Sequence, residues 1–151
     1  MIREGSRADI PAFCKLEEEC FADPWTQKGF EDSFSGSCFR CLAAEKDGVV
    51  CGYVGMLLID GEAEITNVAV SRNHRREGIG AALIRALLAM DGVTRVLLDV
   101  RESNLAARGL YEKMGFAVDG VRKNFYRKPT ENAILMSREV DRGNLLQKED
   151  E

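Results

Sequence analysis

A strand, a glycine-containing turn and a helix follow one another around Arg75-Arg76-Glu77-Gly78-Ile79-Gly80-Ala81, and this arrangement restricts what the chain can build. The preceding run Ile65-Thr66-Asn67-Val68-Ala69-Val70 has the apolar, β-branched character of a strand. After it, Ile79, Leu83, Ala86, Leu87 and Met90 recur at helical spacing, which predicts a helix over 81–90. A turn between them sets backbone N–H groups and the positive end of a helix beside one concavity, where a phosphate is stabilised. Gly78 and Gly80 let a ligand approach the backbone, although two glycines also suit a plain turn and tight helix packing. The spacing is neither the Gly-x-x-x-x-Gly-Lys-Ser/Thr of a nucleotide-kinase loop nor the three-glycine dinucleotide fingerprint.

With 151 residues the chain has the length of one domain, and 45% apolar against 30% charged residues suffices for a core. A net charge of −4 argues against a non-specific nucleic-acid binder. Residues 3–9 alternate charged and small side chains without an apolar signal region, and 49–59 is too short and glycine-broken to span a bilayer, so a cytoplasmic location without membrane is the expectation. Five irregularly spaced cysteines do not make a disulfide framework. Cys38-Phe39-Arg40-Cys41 lacks a second ligand pair, and the sole histidine, His74, is distant in sequence, so no metal is expected.

In chain order, 1–6 is expected to form a strand and Asp9 to cap a helix running through Phe13, Leu16 and Cys20. Pro24-Trp25 breaks the chain before a helix over 26–34. Strands at 38–45, 49–59 and 62–70 follow, joined by turns at Asp47-Gly48 and Asp60-Gly61, which reads as a meander. Asp91-Gly92 stops the central helix. The strand at 93–100 lacks polar alternation and reads as covered on both faces. Ser103 is the candidate cap of a helix through Leu110 and Met114 that Gly115 ends, and 116–121 and 132–140 are the last strands, with a turn at 127–131. The expected organisation is one domain over 1–140 and a polar, fraying tail over 141–151. The fold class is α/β, a mixed sheet with helices on both faces.

Arg75 to Ala81 resembles the Arg/Gln-x-x-Gly-x-Gly/Ala signature of the Gcn5-related N-acetyltransferases. Asn67-Val68-Ala69-Val70, Asp99-Val100-Arg101-Glu102-Ser103-Asn104, Gly109-Leu110-Tyr111-Glu112-Lys113-Met114-Gly115-Phe116 and Asn124-Phe125-Tyr126 extend the likeness to the bacterial ribosomal-protein-alanine N-acetyltransferases, over about residues 2–140. The resemblance implies the acyl-coenzyme A N-acyltransferase fold, a mostly antiparallel sheet in which 62–70 and 93–100 splay apart. It implies acetyl-coenzyme A as co-substrate and a protein N-terminus, that of a ribosomal protein, as acceptor. Within it, Val68, Ala69 and Val70 offer main-chain groups to the acetyl and pantetheine, Arg76, Glu77, Gly78, Ile79, Gly80 and Ala81 cradle the pyrophosphate, and Asn104 binds coenzyme. Tyr111 contacts the sulfur, and Trp25, Phe125 and Tyr126 close over the acceptor.

Acetyl transfer requires a neutral amine, and an N-terminal α-amine with a pKa near ~7.7–8.0 asks little of a base. The resembling enzymes carry glutamate where this chain has Asp99, which is one methylene shorter and favours contact through water. Glu64, on the strand across the gap, is the alternative or assisting carboxylate. Each aromatic also has a packing reading, and Asn104 reads alone as an ordinary first-turn residue. A small-molecule amine acetyltransferase and a non-catalytic coenzyme A sensor or binding module stand as rivals to the N-terminal acetyltransferase.

Overall fold

The computed structural model describes residues 1–140, so the tail expected over 141–151 lies outside the described residues. Seven strands form one sheet: β1 (Ile2–Glu4), β2 (Phe39–Lys46), β3 (Val49–Ile59), β4 (Glu62–Val70), β5 (Arg95–Arg101), β6 (Ala117–Tyr126) and β7 (Glu131–Glu139). Their spatial order is β1-β2-β3-β4-β5-β7-β6, and every neighbouring pair is antiparallel except β4 with β5. Four helices join them: α1 (Ile10–Cys20), α2 (Gln27–Ser35), α3 (Ile79–Leu88) and α4 (Leu105–Lys113). The expected mixed sheet with helices on both faces is the fold observed.

The alternation of strand side chains divides the core in two. On one face Leu42, Val54, Met56, Val96, Leu98 and Met136 pack under Leu83, Ile84 and Leu87 of α3 and Tyr111 of α4. On the other, Cys41, Ala43 and Tyr53 pack under Phe13 and Leu16 of α1 and Phe30 of α2. Phe13 stacks on Tyr53 with ring centroids 4.4 Å apart. Burying each such aromatic contributes about 1.5–3 kcal/mol.

Both Asp-Gly pairs take positive φ, Asp47 52° and Gly48 78°, Asp60 50° and Gly61 86°, the two-residue geometry that matches strand twist. They fix the register of the β2–β4 meander, and β3 and β4 have the expected bounds.

Elsewhere the structure corrects the reading. Asp9 precedes α1 but makes no side-chain cap there; its carboxylate turns back to accept from the Ser6 N–H at 2.9 Å and from the Arg3 guanidinium. Asn104, not Ser103, caps α4, accepting from the Ala107 N–H at 3.1 Å. β5 is covered on one face only: Val96, Leu98 and Val100 are buried, whereas Leu97 and Arg101 are half-buried and Asp99 is exposed. The reason is that the α1–α2 core reaches across β2, β3 and β4 and includes no residue of β5. β6 runs on to Tyr126, past the expected end at 121, through a bulge in which Lys123, Asn124 and Phe125 face Asn132 alone. Asn124, at φ 53°, donates its N–H to Asn132 Oδ1 at 3.0 Å there.

Candidate active site

The parallel pairing of β4 with β5 covers only Glu62↔Arg95, Ala63↔Val96 and Glu64↔Leu97. Beyond Glu64, β4 remains paired with β3, for instance Val54↔Val68 and Tyr53↔Ala69, while among the described residues no strand pairs with its other side. That edge, carrying Val68, Ala69 and Val70, presents main-chain donors and acceptors to a gap.

β4 then leads into the loop at the head of α3. Arg76 and Gly78 have φ of 65° and 78°, and Gly78 is the N-cap of α3 with no side-chain cap bond. The first helical bond shown is Ala82 N–H to the Gly78 carbonyl at 3.0 Å. An uncapped first turn leaves the N–H groups of Ile79, Gly80 and Ala81 for a ligand. A Cβ on Gly78 meets nothing within 4 Å, so the space above the turn is open. The Glu77 carboxylate is held by Lys46 Nζ at 2.6 Å and faces His74 Nδ1 at 3.1 Å. The Lys46 hydrogen bond, above all, keeps that carboxyl below its ordinary range. Arg76 is exposed. A free strand edge followed by an uncapped, glycine-led helix fits the pantetheine and pyrophosphate of coenzyme A.

The carboxylates and the tyrosine expected to take part in the chemistry lie on opposite faces of the sheet. Asp99 lies two residues beyond Leu97, the β5 partner of Glu64, so the two carboxylates share the α1–α2 face one strand apart. Tyr111, 7% exposed, lies in the core under the opposite face against Phe116. Tyr126 links the two: burial and then the Asp99 carboxylate push its hydroxyl up to about 12, and burial and then Tyr126 push Tyr111 up to about 12. Both phenols therefore remain proton donors near neutral pH. Asn104 is exposed at the head of α4, with its Oδ1 used in the helix cap.

Trp25 packs on Phe30 at 5.3 Å and on Phe39 at 6.2 Å, and its N–H donates to Glu17 at 2.9 Å. Phe125 and Tyr126 meet edge to face at 5.1 Å. A cavity of about 300 Å³ lined by Leu57, Ile59, Asp60, Glu62, Glu64 and Leu97 continues from Glu64 along the sheet. A larger hollow of about 630 Å³ between α1 and α2, lined by Arg7 and Cys14 among others, contains none of these groups.

Sequence reasoning did not single out Glu17 and Asn67 as a side chain, which bond each other and, through Glu17, the Trp25 N–H, or Arg101 and Glu131, which hold the β6–β7 turn. Glu17 carried a signal, a charge on the apolar stripe of Ile10, Phe13 and Cys20. Arg101 and Glu131 act through contacts distant in sequence and carried none. Among the described residues no cluster of three or more His, Cys, Asp or Glu side chains could hold a metal, and no helix is long and apolar enough to cross a membrane.

The splayed β4–β5 edge, the open helix N-terminus after it and the buried tyrosine under the gap define a coenzyme A-dependent acyltransferase. The chain belongs to the Acetyltransferase (GNAT) family, which matches residues 10–116, and is an acetyl-coenzyme A-dependent N-acetyltransferase. It is 34% identical over 136 residues to the [Ribosomal protein bS18]-alanine N-acetyltransferase of Escherichia coli (strain K12), covering 85% of this chain and 90% of that one. With the N-alpha-acetyltransferase RimI of Mycobacterium tuberculosis (strain H37Rv) the identity is 32% over 142 residues, 89% of each. The crystal structure of the ribosomal-protein-S18-alanine N-acetyltransferase from Escherichia coli superposes with a TM-score of 0.87 at 30% identity, covering 93% of both chains.

Proposed function

We infer that this enzyme acetylates the α-amine of a protein N-terminus, that of an N-terminal alanine on a small-subunit ribosomal protein. The observation that supports the reading is the free edge of β4 beyond Glu64, with Asp99 two residues past the β5 partner of Glu64 and close enough to perturb Tyr126, which in turn perturbs Tyr111. The names of the relatives, similar over most of both chains, supply the acceptor class.

Acetyl-coenzyme A supplies the acetyl thioester. Main-chain N–H groups of Val68, Ala69 and Val70 hold the coenzyme arm and polarise the acetyl carbonyl, and the Arg76–Ala81 backbone holds the pyrophosphate. Asp99, through one water, takes the proton that the attacking amine loses as its C–N bond forms; Glu64 assists by favouring the incoming ammonium. As the C–S bond breaks, coenzyme A leaves as its thiolate, stabilised by a hydrogen bond from the Tyr111 hydroxyl, which keeps its proton, and the thiolate then takes a proton from solvent. Trp25, Phe125 and Tyr126 exclude water around the amine, and Asn104 offers its amide nitrogen to the coenzyme. The five free thiols suit a reducing compartment, so we assign the reaction to the cytoplasm.

Incubation with acetyl-coenzyme A and an equimolar panel of basic peptides differing in the first residue, read by mass spectrometry, tests this. Preferential acetylation of free N-terminal alanine is expected. Transfer only to lysine side chains or to small amines would overturn the acceptor assignment, and coenzyme binding without transfer to any amine would favour a sensor.

A further inference from the structure

Glu17 is completely buried, and its carboxylate is met by neutral donors from three separate elements. Oε1 accepts the Trp25 backbone N–H at 2.9 Å, from the corner between α1 and α2. Oε2 accepts the Tyr53 hydroxyl of β3 at 2.7 Å, and the Asn67 amide of β4 donates to both oxygens at 3.2 and 3.1 Å. A charge buried without a counter-ion is tolerated only when such donors satisfy it. Tyr53 is held strongly in its protonated form, first by burial and then by the Glu17 charge, so it donates to Glu17 at any working pH.

The position of this hub matters. Trp25 is a wall of the acceptor site, and Asn67 immediately precedes Val68, Ala69 and Val70 on the splayed part of β4. Because an ionised carboxylate only accepts, it compels Asn67 to turn its Nδ2 hydrogens inward. Asn67 Oδ1 is left buried with no partner, as is Thr66 Oγ1 beside it. An unsatisfied buried oxygen requires a reason, and here the reason is an amide orientation imposed by Glu17.

We propose that Glu17 is a positioning residue for the acceptor: through Trp25 and Asn67 it fixes the separation between the acceptor wall and the strand that holds the acetyl group. The proposal rests on Trp25 lining the acceptor side, as inferred above. A glutamine replaces the carboxylate only in part, since it has one accepting oxygen and its NH2 forces the Trp25 N–H, the Tyr53 hydroxyl or the Asn67 amide out of its present donor role. The coenzyme loop is held by other groups, Glu77 by Lys46 and Arg72 by Glu19, and none of these contacts involves the Glu17 carboxylate itself.

The test uses the full chain as Glu17→Gln and as Asn67→Ala, with KM measured separately for the acceptor and for acetyl-coenzyme A, coenzyme A Kd by calorimetry, and emission from Trp25, the sole tryptophan. In both variants acceptor KM is expected to rise by about tenfold or more, with coenzyme KM and Kd within about twofold of wild type. Trp25 emission shifts in Glu17→Gln, which loses the anchor, and stays in Asn67→Ala, which keeps it. A folded Glu17→Gln with wild-type acceptor KM, or one whose coenzyme affinity falls in parallel, overturns the proposal. If Glu17→Gln does not fold, Asn67→Ala decides, and an unchanged acceptor KM overturns it. Should wild type acetylate only a small amine, the N-terminal reading fails, and the role of Glu17 is scored on that amine's KM.

Discussion

The guanidinium of Arg101 lies 4.5 Å from the centroid of the Tyr126 ring. Its Nη2 donates to the Arg127 carbonyl at 2.8 Å, and its Nη1 to the Pro129 carbonyl at 3.0 Å and to Glu131 at 3.2 Å. Glu131 in turn accepts the Ser103 N–H, and hydrogen bonding from the Ser103 side chain first and its N–H second holds the carboxyl below its ordinary range. One side chain on the Asp99 strand thus fastens the whole β6–β7 turn, and with it the aromatic that the Asp99 carboxylate perturbs. Arg101→Met keeps the stem and loses every donor, and is expected to lower kcat/KM for peptide about 10- to 100-fold, mostly through KM. Arg101→Lys should not rescue it, because an ammonium cannot fork to two carbonyls and stack as a plane. Steady-state kinetics with an N-terminal alanine peptide decides, and near-wild-type kcat/KM in Arg101→Met would sink the assignment.

Asp99 and Glu64 are expected to separate by pH dependence. Removing a general base costs about 10²- to 10⁴-fold and deletes the corresponding limb of the rate profile, whereas removing a charge that steers the ammonium raises KM and leaves the limb in place. Asp99→Asn should do the first and Glu64→Gln the second. Wild-type kcat/KM at every pH in Asp99→Asn would exclude Asp99, and loss of the limb in Glu64→Gln would transfer the role.

Tyr111 is 7% exposed and is pushed up to about 12, by burial first and Tyr126 second. It therefore keeps its proton throughout an ordinary assay range and acts as a constant donor to the sulfur. Tyr111→Phe is expected to reduce kcat about 100-fold while leaving the shape of the pH profile and coenzyme affinity unchanged. Disappearance of an alkaline limb below pH ~10 in the variant would show that the tyrosine ionises where the structure forbids it.

The two Asp-Gly turns made β3 and β4 legible, because each pair punctuates a run of apolar residues and sets its register. The turn at Gly78 was legible for the same local reason, a glycine between a strand and a helix. The second half of β6 was not: as part of an exposed edge strand it carries mostly polar side chains, and its bulge at Lys123, Asn124 and Phe125 breaks any alternation. The reading of β5 failed because apolar content does not say how far α1 and α2 reach across the sheet. The splay of β4 from β5 came from family resemblance, since no local pattern marks where two strands part. Glu17 and Arg101 went unnoticed because a hydrogen-bonded hub is a property of distant partners, Trp25 and Asn67 for one and Arg127 and Pro129 for the other.

Gly78 tests the cradle. At φ 78° a methyl meets no neighbour, so Gly78→Ala is opposed by backbone strain alone, about 1–2 kcal/mol. For a chain of this size that corresponds to a Tm lower by about 2–8 °C. Coenzyme A Kd should weaken by about tenfold or more as the methyl enters the space beside the helix N-terminus. Calorimetry reads both, and unchanged coenzyme affinity in a protein of lowered Tm would remove Gly78 from the binding site.

Asp9 serves stability and lies away from the chemistry. Its carboxylate, 7% exposed, accepts Arg3 Nη1 at 2.9 Å, Arg3 Nη2 at 2.8 Å and the Ser6 N–H at 2.9 Å. The Arg3 hydrogen bond, opposed by burial, holds its carboxyl below the ordinary value of 3.8. A folded-state pKa below the unfolded one means that the unfolded chain binds the proton more readily. The stabilisation is therefore complete above about pH 5 and is lost as pH falls through the folded-state value. Asp9→Asn keeps the shape but loses the charge, leaving Arg3 with Glu45 at 3.3 Å. At pH 7 the variant is expected to lose about 1–3 kcal/mol. Urea unfolding of both proteins from pH 7 downward measures the difference, which should shrink below about pH 4 as wild-type Asp9 takes up its own proton. A difference that stays constant to pH 2 would mean that the loss comes from altered packing rather than from the ion pair.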